Sequence, residues 1–406
     1  MKKSVLLITL LIVCINLTSQ QGVRFDKEKY NNTESWEEDE LGFSNVIPVS
    51  HSMRKYCPPI ANQGNTGTCV GWATAYGVMS ITHNIIHNIT EPDKKLLFSF
   101  DPYFIYSTIK NYYDYDCSEG TIMINAMEML VRYGCKRTMI YNKSECNTVL
   151  NDTLLRYSNP FKIKEFFKPP PSFETDNVEN KAITLKKVLS GNNPLLIGAN
   201  VTSTMGTQTI NANGLWDSFS NEDIFGGHAM CLIGYDDDKF GGAFEVMNSW
   251  GDDFGDNGFI WIKYNDFFRL VDEIYMLKTY KENNTTNDCI IGDCEDLYGN
   301  MKYADGNQYE GDFRKGKKGG FGLLNISNGD QSIGYWKNGK KDGVHLFYNA
   351  SSKSWSERTY RNGKVTDRSE LGFVNTLTEE DKAIQSLMNT YEENGLIKIV
   401  EEEFED

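Results

Sequence analysis

The chain predicts an α+β fold with a helical half, then a half built of strands, then a separate module of β-hairpins. Three observations carry this reading. Large side chains recur at helical spacing from Val70 to Ile81. From Leu195 to Tyr280, β-branched and aromatic runs alternate with turn residues instead. Beyond residue 297 a Gly-, Lys- and Tyr-rich pattern repeats itself. Helices early and strands late imply a helical lobe and a sheet lobe. A length of 406 residues leaves room for two or three domains, and a hydrophobic content of 40% can supply each with a core. The net charge of −15 argues against nucleic acid or an anionic membrane as the principal partner.

Residues 1–20 pair a basic start, Met1-Lys2-Lys3, with a short apolar run from Val5 to Leu17. That run is short for a membrane span and reads as a signal peptide cut near Thr18 to Gln21. The expected location is therefore secreted or extracytoplasmic (extracellular, periplasmic or lysosome-like). Residues 21–46 are polar and acidic, as in Glu37-Glu38-Asp39-Glu40, and are expected to be extended or disordered. Globular composition begins at Ile47 and continues to residue 281. The stretch from Asp101 to Gly134 reads as two helices, the second beginning near Thr121. Pro169-Pro170-Pro171 marks a loop, and the helix around Thr184–Leu189 stops at Gly191. Strands are expected at 195–201, 228–235, 243–248, 258–264 and 274–280.

The chemistry concentrates in three short stretches. Cys69 opens the apolar helix that follows the polar loop Gln63-Gly64-Asn65-Thr66-Gly67-Thr68. A helix N-terminus presents unpaired N–H groups and a positive dipole end, which favour the nucleophilic thiolate. Gln63 can offer its amide to an oxygen bound beside that sulfur. His228 begins a strand behind Gly226-Gly227, and Asn248 ends the next strand in Asn248-Ser249-Trp250-Gly251. A neutral imidazole can take the thiol proton and return it to a leaving amine, while an amide oxygen on its other nitrogen fixes the tautomer without adding charge. Taken singly, each of these residues has a plain structural reading: an inert buried cysteine, a core histidine, a turn asparagine.

Together, in this order, Gln63, Cys69, His228 and Asn248-Ser249-Trp250-Gly251 resemble the papain (C1) family of cysteine peptidases. The resemblance covers about residues 47–280 and implies a two-lobed fold. It implies Cys69 as nucleophile, His228 as general base and acid, and Asn248 as its orienting partner. Gln63, with the Cys69 backbone N–H, would form the oxyanion hole, and Trp250 would shield the His228–Asn248 contact from water. The substrate would be a polypeptide, and no cofactor or metal is required. Acyl transfer on the same triad and a catalytically silent binding groove are the rival expectations. The pattern departs from the family at Val70, where an aromatic is usual, and at Phe254, where a tryptophan is usual. The short segment ahead of Ile47 leaves no room for the family's long helical inhibitory prosegment, so classical prosegment inhibition is not expected.

Other features invite chemistry less strongly. His83 and His87 stand one helical turn apart but lack a third metal ligand, and read as exposed histidines. Asp252 to Gly258 resembles a calcium loop without its distal glutamate. Nine cysteines include Cys14 in the leader. Among the rest, Cys289–Cys294 is expected to close a small loop, with Cys135–Cys146 and Cys57–Cys117 as further candidates and Cys231 as a buried free thiol.

Residues 282–296 read as a linker, rich in Asn and Asp. The stretch Gly306 to Gly320 recurs as Gly329 to Gly343, with a degraded third copy from Ser354 to Gly363. This is similar to MORN repeats, each a β-hairpin stacked on its neighbours, and the repeats are expected over 297–366. Tyr309, Phe313, Tyr335, Trp336, Trp355 and Tyr360 would form the stacked core, with glycines 306, 316, 329, 339 and 363 in turns at positive φ. The module is expected to stack on the peptidase part or on a second chain. The alternative is binding of a membrane surface through Arg314, Lys315, Lys317, Lys318, Lys340 and Lys341. An acidic helical tail is expected over 367–406.

Overall fold

The computed structural model describes residues 22–37, 47–138, 146, 161–175, 177–202, 205, 214–217, 224–279, 289–292, 294–296, 298–352 and 354–370. The expected signal peptide and the tail beyond residue 370 lie outside the described residues.

A central helical run begins at Cys69–Gly71, continues through the π-helical turn Trp72–Met79 and ends in Ser80–Ile86. It is buried on almost every side in its middle, since residues 73–79 are all buried. Such all-round burial needs close neighbours. A Cβ on Gly71 would stand 2.2 Å from the Pro102 carbonyl oxygen, and one on Gly77 would stand 2.1 Å from Cys231 Sγ. These two glycines let the helix Pro102–Ile109 and the sheet pack directly on its backbone. The helix Met123–Arg132 completes the helical lobe and is strongly amphipathic, burying Met123, Ala126, Met127 and Leu130.

The sheet lobe has eight strands: β1 Ser50–Ser52, β2 Glu165–Phe167, β3 Leu195–Thr202, β4 Leu215–Trp216, β5 Ile224–Asp236, β6 Ala243–Met247, β7 Phe259–Lys263 and β8 Val271–Lys278. They run in the order β2-β8-β3-β5-β6-β7-β4, and β1 pairs antiparallel with β5. All pairings are antiparallel except β4 with β7. The helices Val178–Ser190 and Tyr264–Leu270 cover this sheet, the first capped by the Asn177 side chain. The five strands expected from sequence are all present, with β5 and β8 starting several residues earlier than expected.

Residues 22–37 correct an expectation. Instead of being extended or disordered, they hold the helix Lys27–Asn32, N-capped by Asp26. Val23 and Trp36 are buried in the main core.

A second antiparallel sheet follows, formed by β9 Cys289–Gly292, β10 Tyr298–Lys302, β11 Gln308–Arg314, β12 Lys317–Asn325, β13 Gln331–Lys337, β14 Lys340–Asn349, β15 Ser354–Arg361 and β16 Lys364–Glu370, paired in chain order. Part of the expected linker is therefore the edge strand β9, and the start of the expected helical tail is β16. The turns Lys315-Gly316, Asn338-Gly339 and Asn362-Gly363 carry positive φ at both residues, the geometry of tight hairpins. The five glycines expected at positive φ all adopt it.

Alternation sends the aromatic residues to two faces. Tyr309, Phe313, Trp336, His345 and Tyr360 form one chain of edge-to-face contacts at 5.1 to 5.4 Å. Phe321 and Tyr335 pair on the other face, where Phe321 also meets Phe98 of the helical lobe at 6.4 Å. Tyr335 thus leaves the stack to which the sequence assigned it, and His345 enters it. The Trp355 side chain lies outside the described ones.

The face bearing Phe321 docks on the helical lobe around a buried ion pair. Arg137, fully buried, donates to Asp312 at 3.3 Å and to the Phe98 carbonyl, and its guanidinium stacks over Phe100 and Phe161. Asp312 also accepts from the Phe321 N–H at 2.7 Å, while Lys94 pairs with Glu310 at 3.0 Å. His83 and His87 belong to this interface. Their rings lie 4.3 Å apart, His83 contacts Arg137 and His87 is buried. Burial and the nearby guanidinium hold both imidazoles well below their ordinary pKa. The expectation of exposed histidines fails because the second sheet covers this flank.

Cys117 pairs with Cys146, and Cys289 with Cys294. The expected Cys289–Cys294 closure is present, and Cys231 is a buried free thiol. The Cys135–Cys146 and Cys57–Cys117 candidates are not formed, since Cys57 and Cys135 are free and buried inside the lobe. No helix among the described residues is long and apolar enough to cross a membrane.

Candidate active site

Cys69 occupies the first turn of the central helix, at the seam between the two lobes. Its sulfur accepts the backbone N–H of Ala229 at 3.4 Å, which places it beside His228 at the start of the buried part of β5. His228 Nε2 meets Asn248 Oδ1 at 2.8 Å. Asn248 sits just past the end of β6, held by its own N–H to the Gly258 carbonyl at 3.0 Å. The Trp250 ring lies against the imidazole, 4.7 Å between centroids and tilted by 33°. Phe254 backs that indole edge-on at 4.9 Å, standing where the family has tryptophan. His228 and Asn248 are almost wholly buried, so their hydrogen bond is protected from water.

Gln63 is held by four bonds, one of them from Thr66 Oγ1 to the Gln63 carbonyl at 2.8 Å. Its N–H donates to the Ser249 carbonyl at 2.8 Å, its Nε2 donates to the Thr66 carbonyl at 2.8 Å, and its Oε1 accepts from Ser249 Oγ at 2.7 Å. The Thr66 carbonyl can only accept, so that bond decides which end of the amide is nitrogen and which is oxygen. In the sequence Ser249 is only one member of the run Asn248-Ser249-Trp250-Gly251, yet its hydroxyl bonds the candidate oxyanion donor. Such a contact joins residues 186 positions apart, and no spacing rule reveals it.

The electrostatics run against the simple helix-terminus argument. Burial pushes the Cys69 thiol up to about 12, opposed by hydrogen bonds from the backbone N–H groups of Ala229, Val70 and Cys69 itself. Burial also pushes His228 down to about 4, opposed by its bond to Asn248. The helix start does supply donors to the sulfur, but desolvation outweighs them, so both groups are neutral here.

Residues 22–25 lie over the thiol. A Cβ on Gly22 would lie 2.4 Å from Cys69 Sγ, so only glycine fits against the sulfur in this pose. Val23 N–H donates to the Gly227 carbonyl at 3.0 Å on the sheet lobe. On the helical lobe, Arg24 N–H donates to the Thr121 carbonyl at 2.9 Å, and Thr121 N–H donates to the Gly22 carbonyl at 3.1 Å. The segment therefore spans the seam directly over the thiol. Phe25 lies against Gly198 and Gly227.

The structure thus brings together every residue the sequence singled out: Gln63, Cys69, His228, Asn248 and Trp250. Among the described residues, no group of three or more His, Cys, Asp or Glu is placed to hold a metal. The site is buried, neutral and backed by aromatic rings, suited to nucleophilic attack by sulfur with proton transfer through one imidazole.

Comparison with known proteins agrees with this fold. Solved structures similar in fold include procathepsin L2 from the larval midgut of Tenebrio molitor, with a TM-score of 0.50, 16% identity, and 64% of this chain and 78% of that one covered. Another is xylellain, a cysteine protease from Xylella fastidiosa, with a TM-score of 0.49, 19% identity, and 64% of this chain and 97% of that one covered. No curated protein matches the chain. The model of the papain family cysteine proteases matches residues 47–276, more than half of the chain. The chain therefore belongs to the papain family of cysteine peptidases.

Proposed function

We propose that the protein is a secreted peptidase that hydrolyses peptide bonds through a Cys69 thioester. The observation that carries this is the buried His228–Asn248 bond beneath Trp250, on a strand whose next N–H touches Cys69 Sγ. With Nε2 engaged by Asn248, Nδ1 is the nitrogen left to take the thiol proton. Sulfur attacks the carbonyl carbon, and the developing oxyanion is met by the Gln63 amide and the Cys69 N–H. His228 then gives the proton to the leaving amine. Water, deprotonated by the same imidazole, releases the carboxylic acid and restores the thiol. Export is supported by the leader-like first 20 residues and by two disulfides, which persist in oxidising compartments. The second sheet, whose hairpins repeat with the period of MORN-like units, serves in this reading as a module docked on the helical lobe.

The test uses an epoxide-type thiol inhibitor, a mixed-peptide library and an added amine nucleophile, applied to the full chain and to Cys69→Ala and His228→Ala. Expected are labelling at Cys69 and cleavage of the library, both lost in each variant, with water as the main acceptor. Transfer to the amine in preference to water would replace hydrolysis with acyl transfer. A folded protein that neither labels nor cleaves, even after its N-terminal segment is displaced, would be a silent groove.

A further inference from the structure

We infer that one rim of the second sheet is a row of anion sites for an acidic linear glycan, a polymer carrying sulfate or carboxylate groups. The row consists of three cross-strand pairs: Arg314 with Lys317, Lys337 with Lys340, and Arg361 with Lys364. The choice of a glycan rests on the proposed export of the protein, whereas the row itself does not.

Each pair flanks a two-residue turn, so two cations stand directly opposite each other on neighbouring strands. Like charges placed in this way destabilise a hairpin. This sheet does so three times, in the same register and on the same rim. All six side chains belong to exposed residues, and none makes an ion pair among the described residues. The ion pairs of the sheet lie elsewhere, from Glu310 to Lys94 and from Asp312 to Arg137. Carboxylates near the turns serve the backbone: Asp296 accepts the Lys315 N–H at 3.0 Å, and Asp342 accepts the Asn362 N–H at 3.1 Å. The Glu295 carboxylate would meet a Cβ on Gly316 at 3.3 Å, which makes the first pair the least cationic. A local rule broken repeatedly, with no compensation inside the chain, marks a functional surface.

Edge protection does not account for these residues. Lysines guard exposed edge strands, but five of the six lie on the interior strands β11 to β15, and only Lys364 is on the edge strand β16. Nor is the whole module basic. At the opposite rim the closing pairs are Lys302 with Gln308, Asn325 with Gln331, and Asn349 with Ser354. The turns there carry Asp305 and Asp330. The cationic rim thus stands apart from a chain whose net charge is −15.

The geometry selects the kind of partner. The pairs recur every second strand, about 9.5 Å apart, so the row is about 19 Å long and one pair deep. That shape fits an extended polymer with a fixed charge repeat, near one disaccharide per pair, better than it fits a flat surface. The turns Lys315-Gly316, Asn338-Gly339 and Asn362-Gly363 offer no apolar side chain to insert among lipids. Anionic lipids also concentrate on the cytoplasmic leaflet, out of reach of an exported protein.

The test measures binding of a heparin octasaccharide to the full chain by calorimetry, at low and at high salt. Three variants run beside it: Lys337→Gln with Lys340→Gln, Lys340→Glu alone, and Lys164→Gln with Lys302→Gln as a control that removes equal charge outside the row. Expected is binding that salt weakens, roughly tenfold weaker in the first variant and unchanged in the control. Lys340→Glu should bind as weakly yet unfold at higher urea, because it turns a repulsive pair into an attractive one. A purely structural role for these lysines would not give a more stable fold together with lost binding. Equal weakening in the control, or no heparin binding by the unaltered chain, would overturn the row. Binding to phosphatidylserine vesicles in preference to heparin would overturn the glycan and make the rim a membrane contact. Heparin binding by a protein found retained in the cytoplasm would sink the proposed export and leave the anion row standing.

Discussion

At the scale of single residues, the site is governed by which polar atoms are left in water. In the proposed mechanism Gln63 serves as oxyanion donor only while its amide is held the right way round, and the Thr66 carbonyl and Ser249 Oγ hold it. Gln63→Ala should lower kcat/KM by roughly 10²–10³-fold, the usual cost of one oxyanion donor. Ser249→Ala should cost about tenfold, because it removes one of the two bonds that hold the amide without deleting the amide. Steady-state kinetics on one peptide substrate separates the two, and equal losses would mean that Ser249 acts otherwise. The same logic sets a pH dependence. With residues 22–25 covering the thiol, Cys69 stands at about 12 and His228 at about 4, both displaced by burial. Between those limits the pair is neutral, so alkylation of the covered protein should climb about tenfold per pH unit from 7 to 10, tracking the thiolate fraction. A rate already level near pH 6 would show that a thiolate–imidazolium pair exists beneath the cover.

Among the elements, the central helix depends on bare backbone at two points. Gly71→Ala drives a methyl group into the Pro102 carbonyl, and neither backbone can yield without moving a helix. The expected destabilisation is about 1–3 kcal/mol, read from urea unfolding, with the fold retained. Because that helix carries Cys69 on its first turn, the same change should also lower kcat/KM. A loss of stability without any loss of activity would mean that the two lobes adjust independently of the thiol. Helical periodicity located this element in the sequence, but its π-helical middle was not legible there. That distortion accompanies the close approach of Gly77 to β5, a contact set by the sheet and not by local preference.

At the scale of the whole molecule, the second sheet is joined to the peptidase through the Arg137–Asp312 pair. Removing one partner leaves the other charge buried, which typically costs about 3–5 kcal/mol, whereas replacing both by apolar groups is often neutral. Arg137→Met should therefore loosen the docked module, and Arg137→Met with Asp312→Leu should restore most of the loss, measured by urea unfolding and by limited proteolysis. Burial raises the Asp312 carboxyl from 3.8 to about 6. A raised folded pKa contributes stability that is present below the unfolded value and lost as pH rises through about 6. The defect of Arg137→Met should accordingly be larger at pH 8 than at pH 5, where Asp312 can protonate. A defect independent of pH would remove Asp312 from the account.

By itself, the sequence determined the lobes, the candidate catalytic set and the hairpin repeat. Periodicity, glycine at turns and the order of Gln63, Cys69, His228 and Asn248 are written locally and need no partner to be read. It assigned Tyr335 and Trp336 together, although alternation along β13 sends neighbours to opposite faces. It also missed the Cys117–Cys146 pairing, the Ser249–Gln63 bond, the Arg137–Asp312 interface and the cover at Gly22–Phe25. Each of those joins stretches far apart in the chain, and each depends on which surfaces come to exclude water. Only the tertiary structure decided that, and so the same thiol that sequence marks as a nucleophile is found neutral and covered.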